Sequence, residues 1–196
     1  MLKDFVKVAK PEDEEFTKRL EEERAKLFAA QMKIKEAGLP VMVMFEGWGA
    51  AGKGSVLGKI IKNIDPRFFR VKTFPKPTKE ELRYPFLYRY MKEIPEKGKF
   101  AFYDTFWMEE ITDARVEDYL DDEEYEEMID SINKTERTLV DNGYLVMKFF
   151  FQISKKEQKE RLEKLLDDKT QSGVSIRETF MRISTTTTAL RSTTSI

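Results

Sequence analysis

The sequence predicts an α/β domain, a mostly parallel sheet with helices on both faces. Three observations carry that prediction. Four short apolar runs alternate with segments of helical period, as a parallel sheet with crossover helices requires. The first of these runs leads straight into a glycine-rich turn, FEGWGAAGKGS (Phe45 to Ser55), that opens a helix. A chain of 196 residues with 40% apolar content is also long enough to bury a real core.

The elements follow in order. Residues 11–38, PEDEEFTKRLEEERAKLFAAQMKIKEAG, read as a long amphipathic helix, opened by Pro11 and first-turn acids and stopped by Gly38. VMVMF (Val41 to Phe45) is a continuous apolar run with β-branched residues, the pattern of a strand buried on both faces. After the glycine turn, SVLGKIIKNI is helical until Asp65-Pro66 breaks it, and FFRVKTF is a second strand. TKEELRYPFLYRYMKEI is helical with an interruption near Pro85, and KFAFYD is a third strand ending at Asp104. A long acidic helix then runs into INKTERTLVDNG, where Asn142-Gly143 stops it. YLVMKFFFQI is a fourth strand, and SKKEQKERLEKLL a helix capped by Ser154.

Composition narrows the chemistry. There is no apolar run of about 18 residues, so no membrane span is expected, and the N-terminal MLKDFVKVAKPEDEEF lacks the apolar core of a secretory signal. With no cysteine there is neither disulfide nor thiol catalysis, and a cytoplasmic location is the expectation. With no histidine, Ser-His-Asp hydrolysis and His-ligated zinc are excluded, which leaves Lys, Arg, carboxylates, backbone amides and a carboxylate-held magnesium. The net charge of −1 conceals a segregation. Ala51 to Lys99 holds thirteen Lys/Arg against five acids, whereas Asp104 to Asp130 holds thirteen acids against one base, Arg115. The basic half suggests a polyanionic ligand. The acidic stretch reads more simply as a solvated helix face.

The turn fits two phosphate-binding templates. Gly47, Gly49 and Gly52 make the dinucleotide fingerprint G-x-G-x-x-G; Gly47, Gly52 and Lys53 make G-x-x-x-x-G-K, with Gly54 where a magnesium-holding Ser or Thr is expected. The first template needs an acid at the end of the second strand for a ribose. That strand ends instead in Lys72, Thr73 and Lys76, and Asp65 precedes it. Lys53 has a clear role only in the second template. The turn from Gly49 through Ala50, Ala51, Gly52, Lys53 and Gly54 to Ser55 is therefore expected to cradle phosphate at a helix N-terminus, with Lys53 as a point charge. Asp104, closing an apolar strand, sits where a carboxylate would take Mg2+. The P-loop reading prevails.

VMVMFEGWGAAGKGSVLGKII, IDPRFFRV, PTKEELRYPFLYRYMKEIPEKGKFAFYDTFW and NGYLVMKFFFQISKKEQKERLEKL together resemble the polyphosphate kinase 2 family, most closely its polyphosphate:AMP phosphotransferase branch, whose chains carry two copies of this domain. The resemblance covers residues 16–169. It implies a P-loop kinase-like three-layer sandwich with a helical lid, a magnesium cofactor, and phosphoryl transfer between inorganic polyphosphate and a nucleotide, AMP or ADP. It also implies a homo-oligomer or pairing with a second copy of the domain, and no nucleic-acid or membrane partner. Gly54 fits, because family members read G-K-G there. Lys53, Asp104 and Arg89, in FLYRY, are the expected catalytic residues, and Arg89 lies where the family approaches nucleotide and phosphate. Two positions depart. The family commonly has Asp where this chain has Gly49, and D-R-x-W where it has Asp104-Thr105-Phe106-Trp107. A missing Arg would cost rate in a reaction that depends on positioning and electrostatics. A catalytically degenerate half-domain that scaffolds an intact copy, and an ordinary ATP-dependent small-molecule kinase, are the alternatives.

Lys59, Lys62, Arg67, Arg70 and Lys76 are candidates for a polyphosphate track, each more simply a surface charge when taken alone. Trp48, Phe86, Tyr88, Tyr90 and Trp107 are candidates to stack on adenine, although aromatics at this density more often belong to a core. The domain is expected to span residues 1–171. From Ser172 the sequence turns irregular and Thr/Ser-rich, SGVSIRETFMRISTTTTALRSTTSI. Reading the ACN codons of Thr185 to Thr188 one base earlier gives Tyr, His, Asn or Asp, so one permitted back-translation restores a family-like EWRV and HYD. Residues 172–196 are thus read as an irregular, flexible tail or an out-of-frame one, and the latter would leave the sheet short of its last strand, expose an apolar face and account in part for the absent His and Cys. The nucleotide sequence around codons 170–173 decides this, and an unbroken family-like frame there would refute it.

Overall fold

A computed structural model describes residues 13–62 and 64–167. Four strands, β1 (Val41–Gly47), β2 (Phe69–Lys72), β3 (Phe100–Asp104) and β4 (Leu145–Phe151), form one sheet in the order β2-β3-β1-β4. Every pairing is parallel. The helices are α1 (Asp13–Glu36), α2 (Lys53–Ile61), α3 (Tyr88–Met91), α4 (Trp107–Val116), α5 (Asp122–Asp141) and α6 (Lys155–Asp167). The strands follow the apolar runs closely, and the two runs buried on both faces, β1 and β3, take the centre of the sheet, where a parallel strand is covered on either side.

Alternation along β1 assigns the two faces. Val41, Val43 and Phe45 pack with Phe100 and Phe102 of β3, Leu57 of α2 and Ile64, flanked by Leu27 and Ile34 of α1. Met42 and Met44 face the other way, into Ala101, Tyr103, Tyr90, Phe106, Trp107, Ile111, Ile132 and Leu139. Helices α1 and α2 therefore cover one face and α4 and α5 the other, which makes three layers. Each fully buried apolar side chain contributes on the order of 1.5–3 kcal/mol. Trp107 is fully buried, and its indole N–H donates to Glu136 Oε1 at 3.2 Å, so the large ring is accommodated without an orphaned donor.

Register aligns the strand ends that matter. Phe45 lies opposite Asp104, and Gly47 opposite Phe151, so the glycine turn, Asp104 and the end of β4 share the C-terminal edge of the sheet. That edge is where ligands bind in open parallel α/β sheets. Gly47 has no alternative: a Cβ there would stand 2.2 Å from the Phe151 carbonyl oxygen, at a φ of 122°. The Trp48 N–H then donates to that same carbonyl at 3.0 Å, tying the start of the turn to β4.

Two local expectations are adjusted. The segment read as an interrupted helix around Pro85 holds only a 3-10 turn (Glu81–Arg83) and the single turn of α3. Pro85 interrupts it, and Pro75, Pro77 and Pro95 flank it; each removes a donor and fixes φ. The long acidic helix is two helices. Asp118 takes a φ of 57°, and Asp121 starts α5 with a capping box in which its side chain accepts from the Glu124 N–H and the Glu124 side chain accepts from the Asp121 N–H. The predicted stops at Gly38 and Gly143 hold, both at positive φ, and Ser154 accepts from the Glu157 N–H at the start of α6. Among the described residues β4 is an edge strand, with Phe149 and Phe150 exposed. The irregular tail from Ser172, the reading-frame proposal and the domain boundary at 171 lie outside the described residues.

Candidate functional site

Strand β1 ends at Gly47 and α2 begins at Lys53, so the five residues between them make the turn. Ala50 and Gly52 take positive φ, 60° and 95°, which curls the backbone into a concave nest at the N-terminus of α2. The Ala51 N–H is spent inside the turn, donating to the Trp48 carbonyl at 3.2 Å.

Helix α6 holds this turn from outside. The Gln158 side chain donates to Gly49 O at 3.0 Å, and Arg161 Nη1 donates to Ala50 O at 3.2 Å and Ala51 O at 3.3 Å. Gln158 is buried, and Arg161 is steadied by Glu157 at 2.6 Å. In a trans peptide the C=O and the following N–H point in opposite directions. Fixing the carbonyls of 49, 50 and 51 toward α6 therefore turns the amides of 50, 51 and 52 away from it; the Ala51 N–H is taken up by the Trp48 carbonyl, which leaves those of 50 and 52 for an anion. This strut joins residues more than 100 positions apart in the chain.

Lys53 is largely buried. Its Nζ donates to Gly47 O at 2.8 Å and to Glu109 Oε2 at 3.3 Å. Asp104 faces the start of α2: a Cβ on Gly54 would lie 3.5 Å from Asp104 Oδ2. Gly54 and Ser55 are exposed on the first turn of that helix. Burial pushes the Asp104 carboxyl up, Lys53 pulls it down and Glu109 pushes it up again, so the group is under-compensated for its charge. Beside it Glu46, the last acid of β1, is buried with Oε1 unpartnered. Burial, then Glu109, raises it to about 8 against the pull of Lys53, a Phe106 backbone hydrogen bond and Lys148. At neutral pH it is mostly protonated.

The structure brings the turn, Lys53 and Asp104 together and places the other candidates elsewhere. Arg89 is buried in α3. Nη1 donates to Glu110 Oε2 at 3.1 Å, Nη2 to Pro75 O at 2.7 Å, and Nε lies 3.5 Å from Glu81 Oε1. Glu110 also accepts from the Tyr90 hydroxyl. Arg67 and Arg70 line a cleft with Phe69, Pro95, Glu96, Lys99 and Phe100, at the N-terminal ends of β2 and β3, the opposite end of the sheet from the turn. Arg67 is paired with Asp65, whose carboxyl it lowers to about 2; Arg70 donates to the carbonyls of Glu93 and Ile94. Lys76 sits near Glu117, and Lys59 and Lys62 are exposed around the end of α2. Of the aromatic candidates, Tyr90 and Trp107 are fully buried in the core and offer no face to a base, whereas Tyr88 is exposed and stacks on Tyr84 at 4.3 Å. Trp48 has a buried indole N–H without a partner at the turn itself.

Comparison with known proteins decides the family. The family model described as Polyphosphate kinase 2 (PPK2) matches residues 10–184. The chain belongs to the polyphosphate kinase 2 family. The match runs past residue 171, where the sequence reading ends the domain. Among relatives, the Polyphosphate:AMP phosphotransferase of Pseudomonas aeruginosa is 35% identical over 154 residues, covering 78% of this chain and 31% of that protein. The ADP-polyphosphate phosphotransferase 3 of Rhizobium meliloti is 30% identical over 150 residues, 76% of this chain and 52% of that protein. The crystal structure of Polyphosphate Kinase 2 from Arthrobacter aurescens TC1 superposes with a TM-score of 0.78 at 27% identity, covering 87% of this chain and 63% of that one. The chain thus spans about a third to a half of the length of these two phosphotransferases.

For a polyphosphate kinase 2 chain, the sequence reading overlooked four residues at this edge, Glu46, Glu109, Gln158 and Arg161, and Glu110 beside Arg89. Glu46 carried a signal, since it is an acid continuing a buried strand. Glu109 and Glu110 were hidden in an acidic run, and Gln158 and Arg161 in a helix with charges all round.

Proposed function

We propose that this chain is a phosphotransferase domain that moves a phosphoryl group between inorganic polyphosphate and a nucleotide, AMP or ADP. The observation that carries the reading is the meeting of the glycine turn, Lys53 and Asp104 at one edge of a parallel sheet. The turn amides and Lys53 would hold phosphate oxygens. The oxygen donors here suit Mg2+, which is bound through one or two carboxylates plus substrate phosphates, and the under-compensated Asp104 is its candidate ligand. Bound magnesium supplies neutralisation of the phosphate charge. The absence of histidine fits, because phosphoryl transfer asks chiefly for positioning and electrostatics. The named relatives supply the substrate class. No described helix is long and apolar enough to cross a membrane. A cytoplasmic location, and pairing with a second copy or a homo-oligomer, belong to this proposal.

A second reading, a degenerate half-domain that supports an intact copy, draws on Gly49 and on Thr105, which takes a φ of 74° directly after Asp104 where the family commonly has Arg. An assay separates the readings: purified chain, magnesium, long-chain polyphosphate and AMP, following ADP. The proposal expects ADP formation that falls about a hundredfold or more in Lys53→Ala. A folded chain that binds polyphosphate but forms no ADP supports the half-domain. Faster turnover with ATP than with polyphosphate as donor supports a small-molecule kinase.

A further inference from the structure

The two cations that the family reading assigns to phosphate are both occupied by neighbouring carboxylates of one helix. Glu109 and Glu110 stand in the first turn of α4. Glu109 Oε2 lies 3.3 Å from Lys53 Nζ, and Glu110 Oε2 lies 3.1 Å from Arg89 Nη1. Acids are favoured in the first turn of a helix by its dipole, so their presence has an ordinary structural explanation. Their partners do not share it. A helix dipole is served by carboxylates in solvent, whereas these two reach across to a lysine 12% exposed and an arginine 5% exposed.

The local charge balance follows. Around Lys53 stand Asp104 and Glu109, with Arg161 on the turn carbonyls of Ala50 and Ala51; around Arg89 stand Glu110 and Glu81. Each of the two cations thus already faces carboxylates of this chain. A phosphate chain reaching Lys53 meets a cation already partnered by Glu109, despite the surplus of lysine and arginine between residues 51 and 99.

We propose that Glu109 is a built-in counter-anion that sets the affinity and ligand preference of this site: it holds the place of a phosphate oxygen on Lys53, and an incoming phosphate chain must displace it, while Glu110 keeps Arg89 turned inward. The proposal rests on the reading of the turn as a phosphate site. Arg89 then serves α3 and the core beneath it, and Lys53 is the cation that exchanges partners.

The test is equilibrium binding of tripolyphosphate to the full chain at low ionic strength, by calorimetry, with folding checked by circular dichroism. Glu109→Gln keeps the shape of the side chain and removes the charge. A hydrogen bond to a charged group accounts for about ten- to a hundredfold in binding, so Glu109→Gln is expected to tighten tripolyphosphate by about that factor. Lys53→Ala added to Glu109→Gln is expected to abolish the gain. Glu126→Gln, on the exposed face of α5, changes net charge equally and is expected to leave binding unchanged. Equal tightening by Glu126→Gln and Glu109→Gln would reduce the effect to bulk charge and overturn the proposal. Wild type and Glu109→Gln binding alike, with Lys53→Ala weaker, would overturn the counter-anion alone and leave the phosphate site standing. Folded protein that binds in neither form would overturn both. Glu110→Gln, which strips a partner from a buried arginine, serves as a supplementary variant, since Glu109→Gln is sufficient for the decision.

Discussion

Glu46→Gln isolates the cost of keeping a carboxyl group inside this site. Glu46 is 7% exposed, one of its oxygens has no partner, and burial with Glu109 nearby raises it to about 8 from 4.5. The unfolded chain releases this proton near 4.5 and the folded chain only near 8. Across that window the folded state binds the extra proton, so stability falls as pH rises, and the loss is complete above 8. At 1.36 kcal/mol per pKa unit the shift corresponds to roughly 4–5 kcal/mol. Glutamine has the same shape and no ionisation, so its stability relative to wild type should grow by roughly 3–5 kcal/mol between pH 5 and pH 9. Urea unfolding of both proteins at pH 5, 7 and 9 measures this directly. Asp104, raised by burial, contributes a slope of the same sign, but it is present in both proteins and cancels to first order in the comparison. Asp65, held near 2 by Arg67, titrates below the window. A stability difference between Glu46→Gln and wild type that stays constant from pH 5 to pH 9 would refute the burial argument.

Other perturbations test separate links. Gly47→Ala places a Cβ 2.2 Å from Phe151 O at a φ of 122°, so it should destabilise by about 3 kcal/mol or more in urea unfolding; a loss under about 0.5 kcal/mol would contradict the β1–β4 contact. Thr105→Gly removes a β-branched residue from a φ of 74° and should raise stability by about 0.5–1 kcal/mol, net of the backbone freedom that glycine adds to the unfolded chain, with the melting temperature as readout. Gln158→Ala removes the donor on Gly49 O and should cost about 1–2 kcal/mol, with faster hydrogen exchange at the turn amides and unchanged exchange in the sheet.

How much of this was legible in the sequence depends on the range of the force involved. The sheet was legible because β1 and β3 are buried on both faces, and a run such as Val41 to Phe45 permits few other placements. The glycine turn was legible because Gly47 and Gly52 answer local backbone demands, a contact with Phe151 and a left-handed φ, that no other residue meets cheaply. Asp104 was legible as a strand end because it closes the apolar run KFAFYD, and β3 ends there, opposite Phe45 of β1. The split of the acidic helix was readable from Asp121 and Glu124, a capping box that the run of neighbouring acids obscured.

What escaped was long-range and electrostatic. Arg89 and Glu110 are paired only because α3 and α4 meet across the Met42–Met44 face, and nothing within FLYRY or WMEEIT announces that contact. The family resemblance credited Arg89 to a ligand, while in this structure its guanidinium is held by Glu110, Glu81 and the Pro75 carbonyl. The same holds for the basic segment as a whole. Counting charges along residues 51–99 implied a polyanion track, yet Arg67, Arg70 and Lys76 each have an acid or carbonyl of this chain as partner, and two of the three lie at the far end of the sheet. Charge in a sequence is a one-dimensional sum, but the field at a site is set by which carboxylates fold onto which cations. At this edge the acids of α4 lie close to the lysine of the turn, so the ligand preference of the domain is written as much in Glu109 as in Lys53.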